Sequence, residues 1–144
     1  MIMQSMMNAT DVRKNWGQFN DNVIRKGPQF VKRNRDEWAA LSSEHLKAAF
    51  TNFRFHPTFH TEDDGTCTIT IDEIDLVENG DTKEKALELM TEEIIEYANE
   101  YQENFNQYYH SPNRLPHFPY VLNVLAQEKK SDVRSLIECP VGEK

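Results

Sequence analysis

QFVKRNRDEWAALS, residues 29–42, holds two short apolar runs, QFVK and EWAAL, on either side of the polar tetrapeptide Arg33-Asn34-Arg35-Asp36. Runs of this length around a turn signal read as a β-hairpin. Its tip gathers Lys32, Arg33 and Arg35 in a chain of net charge −8. A cationic tip on an acidic protein is expected to face something anionic.

Upstream of the hairpin, Asn8 or Thr10 is placed to cap a helix carrying Val12, Trp16, Phe19, Val23 and Ile24, an amphipathic stretch of about four turns. Gly17 inside it weakens the helix by roughly 1 kcal/mol relative to alanine, so close packing against another backbone is expected there. Lys26-Gly27-Pro28 ends the helix, since glycine suits the position after the last turn and proline commonly follows. Arg13 and Lys14 then fall on the first turn, off the apolar face, where free helix amides also suit phosphate. Downstream, Ser42-Ser43-Glu44-His45 reads as the start of a second helix, SSEHLKAAF. A helix, two strands and a helix bury little apolar surface alone, so a dimer through the sheet or helices is a physical expectation.

Charge divides the 144 residues unevenly. Through His60 there are nine Lys or Arg against five Asp or Glu; from Thr61 there are seven against nineteen. A basic first part fits nucleic acid, and the alternative is two solvated faces. Cys67 and Cys139 lie far apart, no apolar run spans a bilayer and MIMQSMM has no signal-like core, so a cytoplasmic chain with reduced thiols and no membrane partner is expected. Met1, Met3, Met6 and Met7 leave the start codon open.

Residues 51–66, TNFRFHPTFHTEDDGT, suggest a third strand through Phe53, Phe55 and Phe59 that leads out of the first module, with a bend at Pro57 and a turn at Asp63-Asp64-Gly65. TCTITIDEIDLVENGDT then reads as strand, broken at Asn79-Gly80, and Asp81 or Thr82 caps a long helix, with Asp81 and Glu84 spaced as a capping box. Ala86, Met90, Ile94, Tyr97, Tyr101 and Phe105 form one stripe of that helix, read as a core face. Glu84, Glu88, Glu92, Glu96 and Glu100 form a ridge at a spacing of four. Like charges so placed each cost a few tenths of a kcal/mol, so the ridge is either a solvated face or a surface for a basic partner. After HSPNRLPHFP, where three prolines interrupt regular helix, YVLNVLAQEKK resumes helical spacing. SDVRSLIE reads as a last short helix capped by Ser131, followed by a loose end.

Nothing in the chain argues for catalysis. His56 and His60 have the spacing of a helical metal pair, but Pro57 restricts a helix there and no further ligand motif accompanies them. There is no P-loop, GxGxxG or GxSxG, and no carboxylate pair stands out as acid and base. No metal, cofactor or enzymatic activity is expected.

The segment NATDVRKNWGQFNDNVIRKGPQFVKRNRDEWAALSSEHLKAAF, about residues 7–50, resembles the DNA-binding and dimerisation module of the Phd/YefM antitoxins. It shares the capped helix with an early arginine, the Pro-led strand, the basic turn, the apolar second strand and the Ser-Glu helix start. TITIDEIDLVENGDTKEKALELMTEEIIEYANEY more weakly resembles the strand, turn and helix of HicB-like antitoxin domains. The resemblance implies a dimer that binds operator DNA of its own operon through Thr10, Arg13 and Lys14, with Arg33 and Arg35 added from the hairpin tip. It also implies a toxin partner, often a basic ribonuclease, held by the downstream part. Glu92, Glu96 and Glu100 would supply charge there, and Tyr97 and Tyr101 aromatic anchors. The Phd/YefM antitoxins usually end in a short segment ordered by the toxin, whereas here more than ninety residues follow and read as folded.

The expected fold is therefore α+β: a helix-hairpin-helix module over residues 1–55 for DNA binding and dimerisation, then an acidic strand-plus-long-helix module over residues 56–144 for the partner. The alternatives are a DNA-binding regulator without a toxin, whose acidic module senses a ligand or mediates assembly, and an enzyme using His56 and His60.

Overall fold

A computed structural model describes residues 6–140. Met1 and Met3, and the last four residues of the end expected to be loose, lie outside the described residues. The fold is mixed α+β with two separate three-stranded sheets, and the chain divides into two compact units, one up to Ala49 and one from Phe50.

In the first unit, β1 (Met7–Asn8) runs parallel to β2 (Gln29–Arg33), which pairs antiparallel with β3 (Asp36–Ala40). The hairpin turns through Asn34, in the left-handed region at φ 56°. Asparagine tolerates that region better than most residues, which explains why the turn needs no glycine. β1 has no counterpart in the local sequence pattern, because its partner Val31 is far along the chain.

The single helix expected from the apolar spacing is instead two, α1 (Ala9–Lys14) and α2 (Trp16–Arg25). Asn15 breaks the run. Its side-chain amide donates to the Asp11 carbonyl at 3.1 Å, beside its own backbone N–H at 3.0 Å, and it takes a non-helical conformation. A side chain that competes for a backbone carbonyl favours such breaks. Asn8 caps α1, its Oδ1 accepting from Thr10 N–H at 2.8 Å. Gly17 is exposed and a Cβ there would meet nothing within 4 Å, so the expected close packing is absent. α2 ends at Lys26 with Gly27 at φ 96°, as its sequence indicates. Val12, Phe19 and Val31 make the small core, while Trp16 and Ile24 of α2 remain 59% and 61% exposed. α3 (Ser43–Ala49) follows, with Ser42 Oγ accepting from His45 N–H.

The second unit is a meander of β4 (Thr58–Thr61), β5 (Cys67–Ile71) and β6 (Leu76–Gly80), covered by α4 (Lys83–Glu103). The stretch read as one strand over 67–80 is a hairpin. Its turn, Asp72 to Asp75, contains neither glycine nor proline, and Asp75 supplies the left-handed residue at φ 55°. Thr82 alone caps α4, accepting from Lys85 N–H at 3.0 Å. Gly80 is required where β6 meets the helix, since a Cβ there would stand 2.4 Å from the Ala86 backbone nitrogen.

Ile69, Ile71 and Ile74 pack with Ala86, Met90 and Ile94 in the core. Phe55 belongs to this core as well, fully buried. Of the expected stripe, Phe105 falls outside it, 42% exposed on α5 (Phe105–Tyr109), because Asn104 ends α4 as Asn15 ends α1, its side chain donating to the Glu100 carbonyl at 2.9 Å. A 3-10 turn (Leu115–His117) leads into α6 (Phe118–Leu125), whose first turn accommodates Pro119. α7 (Lys130–Arg134) is capped by Asp132, accepting from Lys129 N–H, so Ser131 lies inside the helix rather than at its cap.

Candidate nucleic-acid and partner interfaces

The first unit carries the cations singled out in the sequence. β1 leads into α1 while running parallel to β2, with Asn8 opposite Lys32, so the start of α1 and the hairpin tip share one end of the sheet. Thr10, Arg13, Lys14, Arg33 and Arg35 are all exposed. Among the described residues, no ion pair engages Arg13, Lys14, Arg33 or Arg35. Two details differ from the sequence reading. Because the helix stops at Asn15, Arg13 and Lys14 lie in the last turn of α1, where cations suit the helix dipole. Of the amides at the helix start, that of Thr10 is taken by the Asn8 side chain.

The second unit presents the acidic face of α4. Glu92, Glu96 and Glu100 are exposed along it. Glu92 is paired with Lys130 at 2.9 Å, and that hydrogen bond holds its carboxyl below the ordinary value. Glu93, between the ridge and the sheet, is pushed the other way, first by burial and then by the charges of Glu96, Glu78 and Glu100. Glu93, Glu96 and Glu100 line an open groove of about 580 Å³.

Tyr101 lies beneath this face, and Tyr97 is largely buried under it while also lining the groove. Tyr101 is fully buried and its hydroxyl donates to the Arg114 carbonyl at 2.8 Å. Tyr97 is 8% exposed, with its hydroxyl 2.6 Å from His117 Nδ1; burial raises its pKa to about 12. His117 Nε2 lies 3.1 Å from Asp75 Oδ2. In the neutral imidazole, Nε2–H donates to the carboxylate and Nδ1 accepts from the tyrosine hydroxyl. The chain Tyr97–His117–Asp75 therefore fastens α4, the 3-10 turn and the β5–β6 turn to one another. Both tyrosine side chains are packed under the acidic face of α4.

Sequence reasoning missed Asp75, Glu93, Arg114 and His117. His117 sits in a proline-rich stretch read only as interrupting regular helix, and its partners are 20 and 42 positions away. Arg114 lies over the Tyr108 ring, 3.8 Å from its centroid, a cation–π contact that no local pattern announces.

His56 and His60, considered above as a metal pair, have separate partners. His56 contacts Glu73 and Glu138, and His60 Nε2 lies 3.9 Å from Glu62. Among the described residues no cluster of three or more His, Cys, Asp or Glu is arranged to hold a metal ion, and no helix is long and apolar enough to cross a membrane. Both cysteines are free thiols.

A two-unit α+β chain with a basic first part and an acidic helix face belongs to a known class. The PHD-like family, described as the antitoxin of toxin-antitoxin, RelE / RelB, TA system, matches residues 3–139, and the chain belongs to this antitoxin family. It is also similar to the crystal structure, at 1.80 Å, of an antitoxin part of a proposed toxin/antitoxin system from Syntrophomonas wolfei subsp. wolfei. The two are 34% identical, with a TM-score of 0.87 over 95% of this chain and 99% of that one. Comparison with curated proteins finds no match. Membership of the PHD-like family is coarser than the Phd/YefM likeness of residues 7–50, and it gives no separate support to the HicB likeness of the body.

Proposed function

We propose that this antitoxin neutralises a protein toxin through its second unit and represses its own operon through its first, bound as a dimer to operator DNA. The observation that carries the reading is the match to the antitoxin family, which runs through both the basic and the acidic part. The exposed cations Arg13, Lys14, Arg33 and Arg35 of the first unit, with the exposed hydroxyl-bearing Thr10, support a backbone-contacting DNA surface. Trp16 and Ile24, exposed on α2 beside a core of three buried residues, support a dimer that covers them.

On the second unit the toxin-facing surface is the α4 ridge, Glu92, Glu96 and Glu100, with Tyr97 and Tyr101 fixing its shape from beneath. Repulsion around Glu93 favours a cationic partner surface, such as that of a basic ribonuclease, because an arriving positive charge relieves it. Co-purification with the product of the neighbouring reading frame tests this. The pair should elute together, and Glu96→Lys with Glu100→Lys should weaken the complex by at least tenfold, about 1.4 kcal/mol. Failure of the unaltered chain to bind that product at micromolar concentration would remove the toxin half of the reading.

A further inference from the structure

The end of the described chain returns to the start of the second unit. Phe55 pairs in parallel with Ile137: Phe55 N–H donates to the Leu136 carbonyl at 2.9 Å, and Glu138 N–H donates to the Phe55 carbonyl at 2.8 Å. The residues on either side of Phe55 grip the same segment. Arg54 Nη1 donates to the Ser135 carbonyl at 3.2 Å, and its Nε lies 3.4 Å from Glu138 Oε1. His56 reaches in two directions, with Nε2 3.3 Å from Glu138 Oε2 and Nδ1 2.8 Å from Glu73 Oε2. Glu73, on the β5–β6 turn, also accepts from the His56 backbone N–H at 3.0 Å, while its Oε1 is buried without a hydrogen-bond partner.

A carboxylate only accepts, and a neutral imidazole has one N–H to give. Both ring nitrogens of His56 face carboxylates, so the imidazolium alone satisfies both contacts. We propose that His56 is a pH-dependent clasp: its protonated ring ties the β5–β6 turn to the C-terminal segment, and deprotonation frees the Glu138 side. Glu73 keeps the remaining proton at Nδ1, because it is the nearer partner and the more buried, 17% exposed against 48%.

The groups facing the ring are Glu73, Glu138 and, through Glu138, Arg54. The hydrogen bond to Glu73 raises the His56 pKa most; burial opposes it, and the charges of Glu73 and Glu138 add to the rise. A histidine with a raised folded-state value contributes fully below its ordinary value of 6.5, and that contribution is lost as pH climbs through the folded-state value. The Arg54–Glu138 ion pair and the backbone pairing of Phe55 do not involve the His56 ring, so the segment loosens without detaching.

The test is an NMR titration of the full chain from about pH 5 to above pH 8, which brackets the range in which histidine changes charge. It follows the His56 ring, assigned by comparison with His56→Gln, and exchange of the Glu138 amide corrected for its intrinsic rate. The expected result is a His56 midpoint above 6.5, with Glu138 protection falling a few-fold across that same midpoint. Protection should not titrate in His56→Gln, and Glu138→Gln should lower the His56 midpoint. Should His56→Gln fail to fold, Glu138→Gln in the same titration carries the test. A His56 midpoint at or below 6.5, or Glu138 protection unchanged through it, would overturn the clasp.

Discussion

Tyr97 shows how one largely buried side chain braces the surface above it. Its hydroxyl has His117 as partner, and His117 has Asp75, so a single phenol links the helix carrying the glutamates to a turn of the sheet. Replacing Tyr97 by phenylalanine keeps the ring but leaves His117 Nδ1 buried without a donor, which costs about 1–3 kcal/mol. Urea unfolding should show that loss in the midpoint with little change in slope. Glu93 behaves oppositely. A carboxyl whose folded-state value is raised makes folding less favourable once it ionises, so its penalty is absent at low pH and appears as pH rises through the folded-state value. Glu93→Gln should therefore stabilise the chain at pH 7, and the gain should vanish below the ordinary value of 4.5. Thermal midpoints measured at both pH values check this.

Among the elements, those legible in the sequence were held by local chemistry. The hairpin over 29–40 announced both strands and its turn, because strand pattern and turn residues lie side by side. The helix beginning near residue 82 was equally clear from its apolar stripe. Elements were missed where a side chain or a distant partner decided the outcome. Asn15 and Asn104 ended helices by donating to a carbonyl four residues back, a choice that apolar spacing cannot register. β1 exists by pairing with residues near position 31, and the turn at Asp72–Asp75 hid behind four residues with neither glycine nor proline. In the candidate sites, the exposed cations and glutamates were readable as residue types. The two tyrosines were read both as core and as anchors, and the core part of that reading agrees with their burial.

Over the whole molecule, charge and exposed apolar surface are divided between the units. Up to Ala49 there are eight Lys or Arg against five Asp or Glu; from Phe50 there are eight against nineteen. The apolar exposure of Trp16 and Ile24 belongs to the basic unit. If that face is where two copies meet, the chain should run in light scattering at twice its 16.9 kDa mass, and Ile24→Glu should yield monomer without loss of helical signal, because Ile24 lies outside the core.

The central claim, that the two charge territories do separate work, is met most directly by fluorescence anisotropy of the full chain on upstream DNA and on a scrambled duplex, across a salt series. The account predicts preference for the upstream duplex and affinity falling steeply with salt. Binding should be lost in Arg13→Ala and kept in Glu96→Lys. Equal, feeble binding to both duplexes, or binding that Arg13→Ala leaves untouched, would contradict it.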